Sequence, residues 1–445
     1  MADLVTLTID GRTVKAAPGT LVIDAAKQNG IEIPSFCYYE GLSLQAACRM
    51  CLVEIEKAPK LMVGCTTPVA EGMVVRTDSP AVRTARKMTL EFLLTNHPLD
   101  CPVCDKGGEC ELQDMVFRYG AGESRFAEMK HHVDEKQWSP VVFYDGPRCI
   151  LCYRCVRVCN EGMGVGALGI TNRGVTAEIA PNKGDHLECD ECGACIDICP
   201  VGALTSGTYR YKTRPWEMEY DATICGHCSN GCKTTLGVRN GQIIRANNRD
   251  KSGVNGEFLC IKGRYGFDFV HSEERLQSPL KRVGDKFEEI SWAEALATVA
   301  GKFKAIKERG GKFGVIGSNQ TTNEENFYLR KFVREGLGAP NIDHRRTGDV
   351  GALLQALGGK QGALATVGDL YLTKAALVIG SDLSQQHPLL AYQLRANKRH
   401  HNAHLYVVTP GAVREDQYAF KSVRAAAGGE LAALEGLRDS LKAEA

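Results

Sequence analysis

At 445 residues and 44% hydrophobic content, the chain is long enough for several domains with buried cores. Its 54 Lys and Arg against 53 Asp and Glu exclude the charge excess of a nucleic-acid or anionic-membrane binder. No apolar run approaches about 18 residues, and MADLVTLTIDGRTV lacks the basic start and apolar core of a signal peptide. The expected location is therefore cytoplasmic, with any membrane attachment made through other subunits.

In chain order, VTLTIDGRTVKAAPGT alternates apolar residues around Asp10-Gly11 and predicts a β-hairpin. LVIDAAKQNG predicts a helix ending at Gly30. Ser79 and Pro80 are a good helix start, and AVRTARKMTLEFLLTN carries apolar residues at helical spacing until Pro98. After a linker around LQSPLKRVGDK, Ser291-x-x-Glu294 predicts a capping box that opens the helix WAEALATVAGKFKAIKE. Then come a strand KFGVIGS, a helix NEENFYLRKFVREGLG, a strand AALVIGSD, a helix LLAYQLRANKRH and a strand AHLYVVTP. This alternation predicts a parallel α/β domain. Gly317-Ser318 and Gly380-Ser381 follow strands and could approach a phosphate, but without a full fingerprint they read as ordinary strand-to-helix turns.

The chemistry lies in the cysteines. There are nineteen, all between Cys37 and Cys260, and the last 185 residues have none. In a compartment that keeps thiols reduced, metal ligation is the better reading than disulfides. Cys37, Cys48, Cys51 and Cys65 are spaced C-x10-C-x2-C-x13-C. Hairpin, helix and cysteine loop in that order resemble the β-grasp [2Fe-2S] ferredoxins, with a longer first gap than the plant-type spacing. Zinc is the alternative, because paired C-x2-C is also a zinc motif.

HPLDCPVCDKGGEC offers only Cys101, Cys104 and Cys110, one short of a [4Fe-4S] set. A lone histidine at a helix end is more often a cap or a surface group, yet the missing ligand makes His97 the natural fourth. Gly107 and Gly108 would let the backbone bend close around a cluster. Cys149, Cys152, Cys155 and Cys159 are spaced C-x2-C-x2-C-x3-C, and Cys189, Cys192, Cys195 and Cys199 repeat that spacing before Pro200. This is the two-cluster ferredoxin signature, in which the fourth cysteine of each run crosses to the other cluster. One cube would then take Cys149, Cys152, Cys155 and Cys199, the other Cys189, Cys192, Cys195 and Cys159. The last set is Cys225, Cys228, Cys232 and Cys260. Nineteen cysteines plus His97 make five sets of four with no thiol left over.

PSFCYYEGLSLQAACRMCLVEI, TNHPLDCPVCDKGGECELQDM, RCILCYRCVR and ICPVGAL resemble the family of large iron–sulfur subunits of bacterial respiratory complex I, NADH:quinone oxidoreductase. The resemblance covers roughly residues 1–275 with specific motifs and the remainder more loosely. It implies one [2Fe-2S] cluster at the first set, [4Fe-4S] clusters at the His97 set, in the ferredoxin-like segment and at 225–260, and a flavin-bearing NADH-oxidising partner. Typical members keep only the ligands matching Cys149, Cys152, Cys155 and Cys199. All eight cysteines are retained here, as in segments similar to [FeFe] hydrogenases and the large subunits of NAD-dependent formate dehydrogenases.

The second half resembles the start of the molybdopterin oxidoreductase fold. With no cysteine after Cys260 and a short length, it reads as a structural platform. Lys262 resembles the lysine that bridges cluster and pterin in active relatives, or is a solvated charge. The expected fold is an α+β multidomain chain: a [2Fe-2S] domain at 1–78, a His-and-three-Cys [4Fe-4S] domain at 79–120, and a two-[4Fe-4S] ferredoxin-like domain at 139–208. A [4Fe-4S] domain at 218–274 and a truncated α/β domain at 275–445 complete it. No flavin or nicotinamide fingerprint is recognisable, so the expected function is electron relay between other subunits, without a substrate site of its own. The alternative is an electron-transfer subunit of an NAD-linked formate dehydrogenase or hydrogenase complex; the non-enzyme alternative is a zinc-stapled scaffold.

Overall fold

The computed structural model describes residues 4–344 and 350–444. Val5–Ile9 (β1) and Arg12–Ala16 (β2) form the expected antiparallel hairpin. Leu7, Ile9, Val14 and Ala16 are buried, as strand alternation requires. Helix α1, Val22–Gln28, buries Val22, Ile23, Ala25 and Ala26 in the same core. Leu52–Ile55 (β3), Met62–Val63 (β4) and Val74–Arg76 (β5) complete a five-stranded sheet ordered β2-β1-β5-β3-β4, with β1 and β5 parallel. The loop between α1 and β3 carries the first cysteines, so the sheet is their platform.

Helix α2, Pro80–Leu94, starts as its sequence predicts: Ser79 Oγ accepts from the Val82 amide at 3.4 Å, and Pro80 occupies the first turn. It ends at Leu94, short of Pro98, and His97 lies in the following loop. Helix α3 is Glu111–Tyr119. Arg86 joins α2 to its neighbours from a position only 1% exposed. Its guanidinium donates to the Met50 carbonyl (3.1 Å), the Leu52 carbonyl (3.3 Å) and the Tyr119 hydroxyl (3.2 Å).

The ferredoxin-like segment is a pseudo-repeat. Val142–Tyr144 pairs with Leu204–Ser206, and Leu168–Thr171 with Glu178–Pro181. Each cysteine run leads into a short helix, Arg154–Arg157 or Ala194–Asp197. Next, Glu219–Ile224, Lys233–Arg239 and Gln242–Asn247 form an antiparallel sheet, followed by the helix Ile261–Tyr265.

In the second half the expected elements form, at Trp292–Glu308, Gly314–Gly317, Asn323–Lys331, Ala375–Ile379, Pro388–His401 and His404–Thr409. Their strands pair in parallel. Two details differ from expectation. The parallel strands form two separate sheets, of two and three strands, among the described residues. Ser291 caps its helix by accepting from the Glu294 amide at 3.2 Å, but the Glu294 carboxylate turns to Lys281 Nζ at 3.0 Å. A full reciprocal box sits instead at Thr322 and Glu325. Gly317-Ser318 and Gly380-Ser381 close local turns, with the Ser318 carbonyl accepting from Asn326 and Ser381 Oγ bonded to Gln386.

The helix Pro388–His401 lies across the ferredoxin-like segment. Arg395 pairs with Asp190 at 2.5 Å, Arg399 donates to Asn160 Oδ1 at 2.7 Å, and His400 meets the Glu161 carbonyl. By contrast, the helices Trp292–Glu308 and Asn323–Lys331 bury no residue fully, and Trp292, Leu296 and Phe327 are exposed.

Arg86 is buried with three acceptors on its guanidinium. Arg86→Met keeps apolar volume but strands those acceptors, so it should lower stability by about 2–4 kcal/mol. The expected readout is a reduced denaturant midpoint; an unchanged midpoint would mean that the acceptors find water.

Candidate iron-sulfur sites

The first set is the tightest. Cys37, Cys48, Cys51 and Cys65 are all buried, on loops flanking β3. The amides of Phe36 and Cys37 donate to Cys48 Sγ at 3.3 and 3.4 Å. Hydrogen bonds from Cys48 and Cys65 hold the Cys37 thiol far below its usual range, and a hydrogen bond from Cys65 lowers Cys51. The four thiols are therefore linked pairwise, Cys48 to Cys37, Cys37 to Cys65 and Cys65 to Cys51.

In the second set, His97 is 9% exposed and its Nδ1 is buried with no hydrogen-bond partner. Burial, helped by Arg148, pushes its pKa down to about 4, so the imidazole is neutral near pH 7. A neutral ring with an unpaired nitrogen is what a metal ligand requires. Cys101 and Cys104 sit on one tight turn, joined by the Cys104 amide and the Cys101 carbonyl at 3.2 Å, and Cys104 lies near enough to raise Cys110. Two glycines make room. A Cβ on Gly107 would stand 2.7 Å from the Cys101 carbonyl oxygen, and one on Gly202 would collide with Cys104 Sγ.

The ferredoxin-like runs share one backbone pattern. Leu151 and Tyr153 in the first, and Glu191 and Gly193 in the second, all have positive φ. Such a conformation costs a non-glycine residue about 1–2 kcal/mol. It bends the chain so that the Leu151 amide reaches Cys149 Sγ at 3.4 Å and the Glu191 amide reaches Cys189 Sγ at 3.3 Å.

The fourth cysteines cross over. Cys199 lies close enough to Cys149, Cys152 and Cys155 to oppose their ionisation, and Cys159 does the same to Cys189, Cys192 and Cys195. A small cavity is lined by Cys159, Cys189, Cys192 and Cys195 together. In the last set the Cys225 amide donates to the Cys232 carbonyl at 2.8 Å, and Cys228 and Cys260 act on both thiols. Lys262 reaches out to the Gln385 carbonyl at 2.7 Å.

What the cysteine spacing does not reveal is the set of buried cations between the groups. Arg157 donates to the carbonyls of Cys37 and Cys152, and Arg154 to Glu111 and the Ser35 carbonyl. Arg148 reaches both oxygens of Asp100 and one of Asp145. Glu109, which burial alone would keep protonated, is held at about 2 by Arg249 and Arg245. The available signal was a basic residue one or two places after a motif cysteine, as at 154, 157 and 262. Among the described residues no three His, Cys, Asp or Glu side chains close on a single ion, and no helix is long and apolar enough to cross a membrane.

Burial lifts Cys149 and Cys189 to about 11, and Cys152 and Cys192 to about 12. Folded thiols therefore hold protons more tightly than unfolded ones, which titrate near about 8.5. The resulting stability is complete below that value and is lost as pH rises through about 11 to 12. The cluster-free chain should show a falling denaturant midpoint across that alkaline window. The iron-loaded chain, with no thiol proton left to lose, should not show this component.

Five family models match in succession. Residues 2–80 match the 2Fe-2S iron-sulfur cluster binding domain, and residues 86–125 the NADH-ubiquinone oxidoreductase-G iron-sulfur binding region. Residues 139–205 match the ferredoxin-like domain of NADH-quinone oxidoreductase subunit 3, residues 218–272 the molybdopterin oxidoreductase Fe4S4 domain, and residues 275–442 molybdopterin oxidoreductase. The second of the NADH-quinone oxidoreductase G subunits of Rhizobium meliloti is 39% identical over 96% of this chain and 50% of its own length. The G subunit of Streptomyces coelicolor is 38% identical over 93% of this chain and 51% of its own. The NADPH-Fe(3+) oxidoreductase subunit alpha of Geobacter sulfurreducens is 34% identical over 99% and 52%. The chain spans about half the length of the curated relatives it matches. With 2Fe-2S and 4Fe-4S binding domains followed by a molybdopterin-oxidoreductase-like fold, in that order, the chain belongs to the family of NADH-quinone oxidoreductase G subunits.

Proposed function

We propose that the chain is the iron–sulfur electron-transfer subunit of an NADH:quinone oxidoreductase, relaying electrons from a flavin-bearing NADH-oxidising partner toward quinone. It would work as a peripheral member of a membrane complex, on its cytoplasmic side, and would have no substrate site of its own. The observation that carries this reading is the continuity of the thiol groups. Cys37, Cys48, Cys110, Cys152, Cys155 and Cys199 share one hydrophobic core, with Cys159, Cys189 and Cys195 packed against it. Cys192 and Cys225 in turn pack against a second cluster that holds Cys232 and Cys260. Iron–sulfur clusters, when bound, take up and release single electrons at potentials set by ligand type, hydrogen bonds and burial.

In this reading Cys37, Cys48, Cys51 and Cys65 hold a [2Fe-2S] cluster. His97, Cys101, Cys104 and Cys110 hold a [4Fe-4S] cluster; Cys149, Cys152, Cys155 and Cys199 a second; Cys189, Cys192, Cys195 and Cys159 a third; and Cys225, Cys228, Cys232 and Cys260 a fourth. The domains run 1–78, 79–120, 139–208, 218–274 and 275–445. The buried arginines offset thiolate charge, the sulfur-facing amides orient the ligands, and the apolar cores exclude water. Neutral His97 in place of a thiolate makes the second site less negative, which favours its reduced form, as histidine does in Rieske centres. The helix Pro388–His401 serves as a platform against the ferredoxin-like segment.

A second reading is kept by one observation, the retention of all eight ferredoxin-type cysteines. It makes the chain an electron-transfer subunit of an NAD-linked formate dehydrogenase or hydrogenase complex. Co-purifying subunits distinguish the two, since only the first assembly contains quinone-reducing membrane partners.

Anaerobically prepared chain should carry about 18 irons, two from the first site and sixteen from the other four, with matching sulfide. A value near 14 would remove one cube, and zinc without a reducible chromophore would sink the scheme. Cys159→Ala should damage the cube of Cys189, Cys192 and Cys195 while leaving that of Cys149, Cys152 and Cys155 intact. The opposite pattern in the EPR spectrum would overturn the crossed assignment.

A further inference from the structure

The group formed by Cys159, Cys189, Cys192 and Cys195 has a neighbour that no cysteine motif specifies. Arg264, four residues after Cys260, leaves its own module and lies on the turn between Cys192 and Cys195. Its Nε donates to the Cys192 carbonyl at 2.5 Å, and its Nη1 pairs with Asp197. It is 4% exposed, and its Nη2 is buried without a hydrogen-bond partner. The fit depends on Gly193. That residue has a φ of +69°, and a Cβ there would collide with the Arg264 stem and the Tyr265 hydroxyl. An L side chain at 193 would be strained and would expel the arginine.

A guanidinium this buried needs more counter-charge than it visibly has. Burying a cation costs several kcal/mol unless charge and hydrogen bonds compensate. Asp197 supplies one carboxylate to Nη1, whereas Arg249 is held by Glu109 and Arg395 by Asp190, and the Nη2 of Arg264 is left with none. The carbonyl that Arg264 Nε meets is that of Cys192, a ligand of this set in the reading above, so the negative charge nearest the unpartnered side of the guanidinium is that of the set itself. Cluster potentials depend on the net charge around them, so a fixed cation here stabilises the reduced form.

We propose that Arg264 is the positioning residue and counter-charge of the Cys159–Cys189–Cys192–Cys195 cube. Through it the module that carries Cys260 raises the potential of a cluster in the neighbouring module. The inference rests on the assignment of a cube to that set.

The test is an EPR-monitored redox titration of the full chain with its clusters, using R264Q, R264K and D197N, with the relevant signal identified by its loss in Cys159→Ala. In R264Q that cube should be harder to reduce by about tenfold in its oxidised-to-reduced ratio, about 59 mV for one electron. The other four potentials should stay unmoved. R264K should recover most of the shift, because it restores the charge without the fork. D197N, which removes the competing carboxylate, should move the same potential upward. If R264Q loses the cube, retention in R264K with an upward shift in D197N still supports the proposal. Full iron content with an unmoved potential in R264Q, Lys behaving like Gln, or an unmoved or lowered potential in D197N would overturn it. A wild-type chain short by about four irons would instead fail the underlying cube assignment.

Discussion

The constraint on which this molecule depends is the burial of negative sulfur. A thiolate held in an apolar interior is costly unless cations or hydrogen-bond donors stand beside it, and this chain buries ligand sets in close succession. The cysteine loops supply amide donors to their own sulfurs but few cations. Cations come from neighbouring modules: Arg157 reaches from the ferredoxin-like segment to the Cys37 carbonyl, and Arg264 from the Cys260 helix to the Cys192 carbonyl. The groups that compensate the charge are thus the groups that join the domains. Removing one would both loosen an interface and leave a site uncompensated, so the modules are not independent beads on a string.

This explains which parts were legible in the sequence. Ligand sets follow from spacing, because two thiols two residues apart can only face a common centre if the turn between them is tight. The repeated positive-φ positions, Leu151 and Tyr153 against Glu191 and Gly193, are the structural counterpart of the repeated C-x2-C-x2-C. Helix starts at Ser79 and Ser291 were equally readable, since capping is local. The Glu294 carboxylate was not: its choice of Lys281 over the box depends on a strand outside the helix. The same holds for Arg154, Arg157 and Arg395, whose partners lie more than a hundred residues away in sequence in most cases. The split of the parallel strands into two sheets depends on long-range pairing, which alternation of strand and helix does not encode.

The second half shows how a fold can be retained for what one face does. Among the described residues one buried apolar cluster, Val378, Leu394, Leu405 and Val407 with their neighbours, surrounds the helix Pro388–His401, and Val333 and Ala339 are buried apart from it. That helix carries the contacts to the ferredoxin-like segment. Asp190, between Cys189 and Cys192, receives both Arg395 and Arg414. Glu415, buried 4.0 Å from Arg395, balances part of that charge and completes a buried ion network beside the thiol-rich turn. The helices Trp292–Glu308 and Asn323–Lys331 have no comparable role in the described residues and bury nothing fully.

The arrangement of charge also differs between sites. Around His97, where a neutral imidazole replaces one thiolate, the nearby cation Arg148 is held by two carboxylates, Asp100 and Asp145. A second cation, Arg214, donates to the carbonyls of Cys104 and Pro102, so this site too draws positive charge from outside its own cysteine loop. Around the set of Cys159, Cys189, Cys192 and Cys195, all ligands are thiols, and Arg264, Arg395 and Arg414 face only Asp190 and Asp197 among their directly bonded carboxylates on that turn. Sites with different candidate ligands are thus each met by charged residues drawn from other modules, and it is that meeting, more than the cysteines alone, that lets them share one apolar interior.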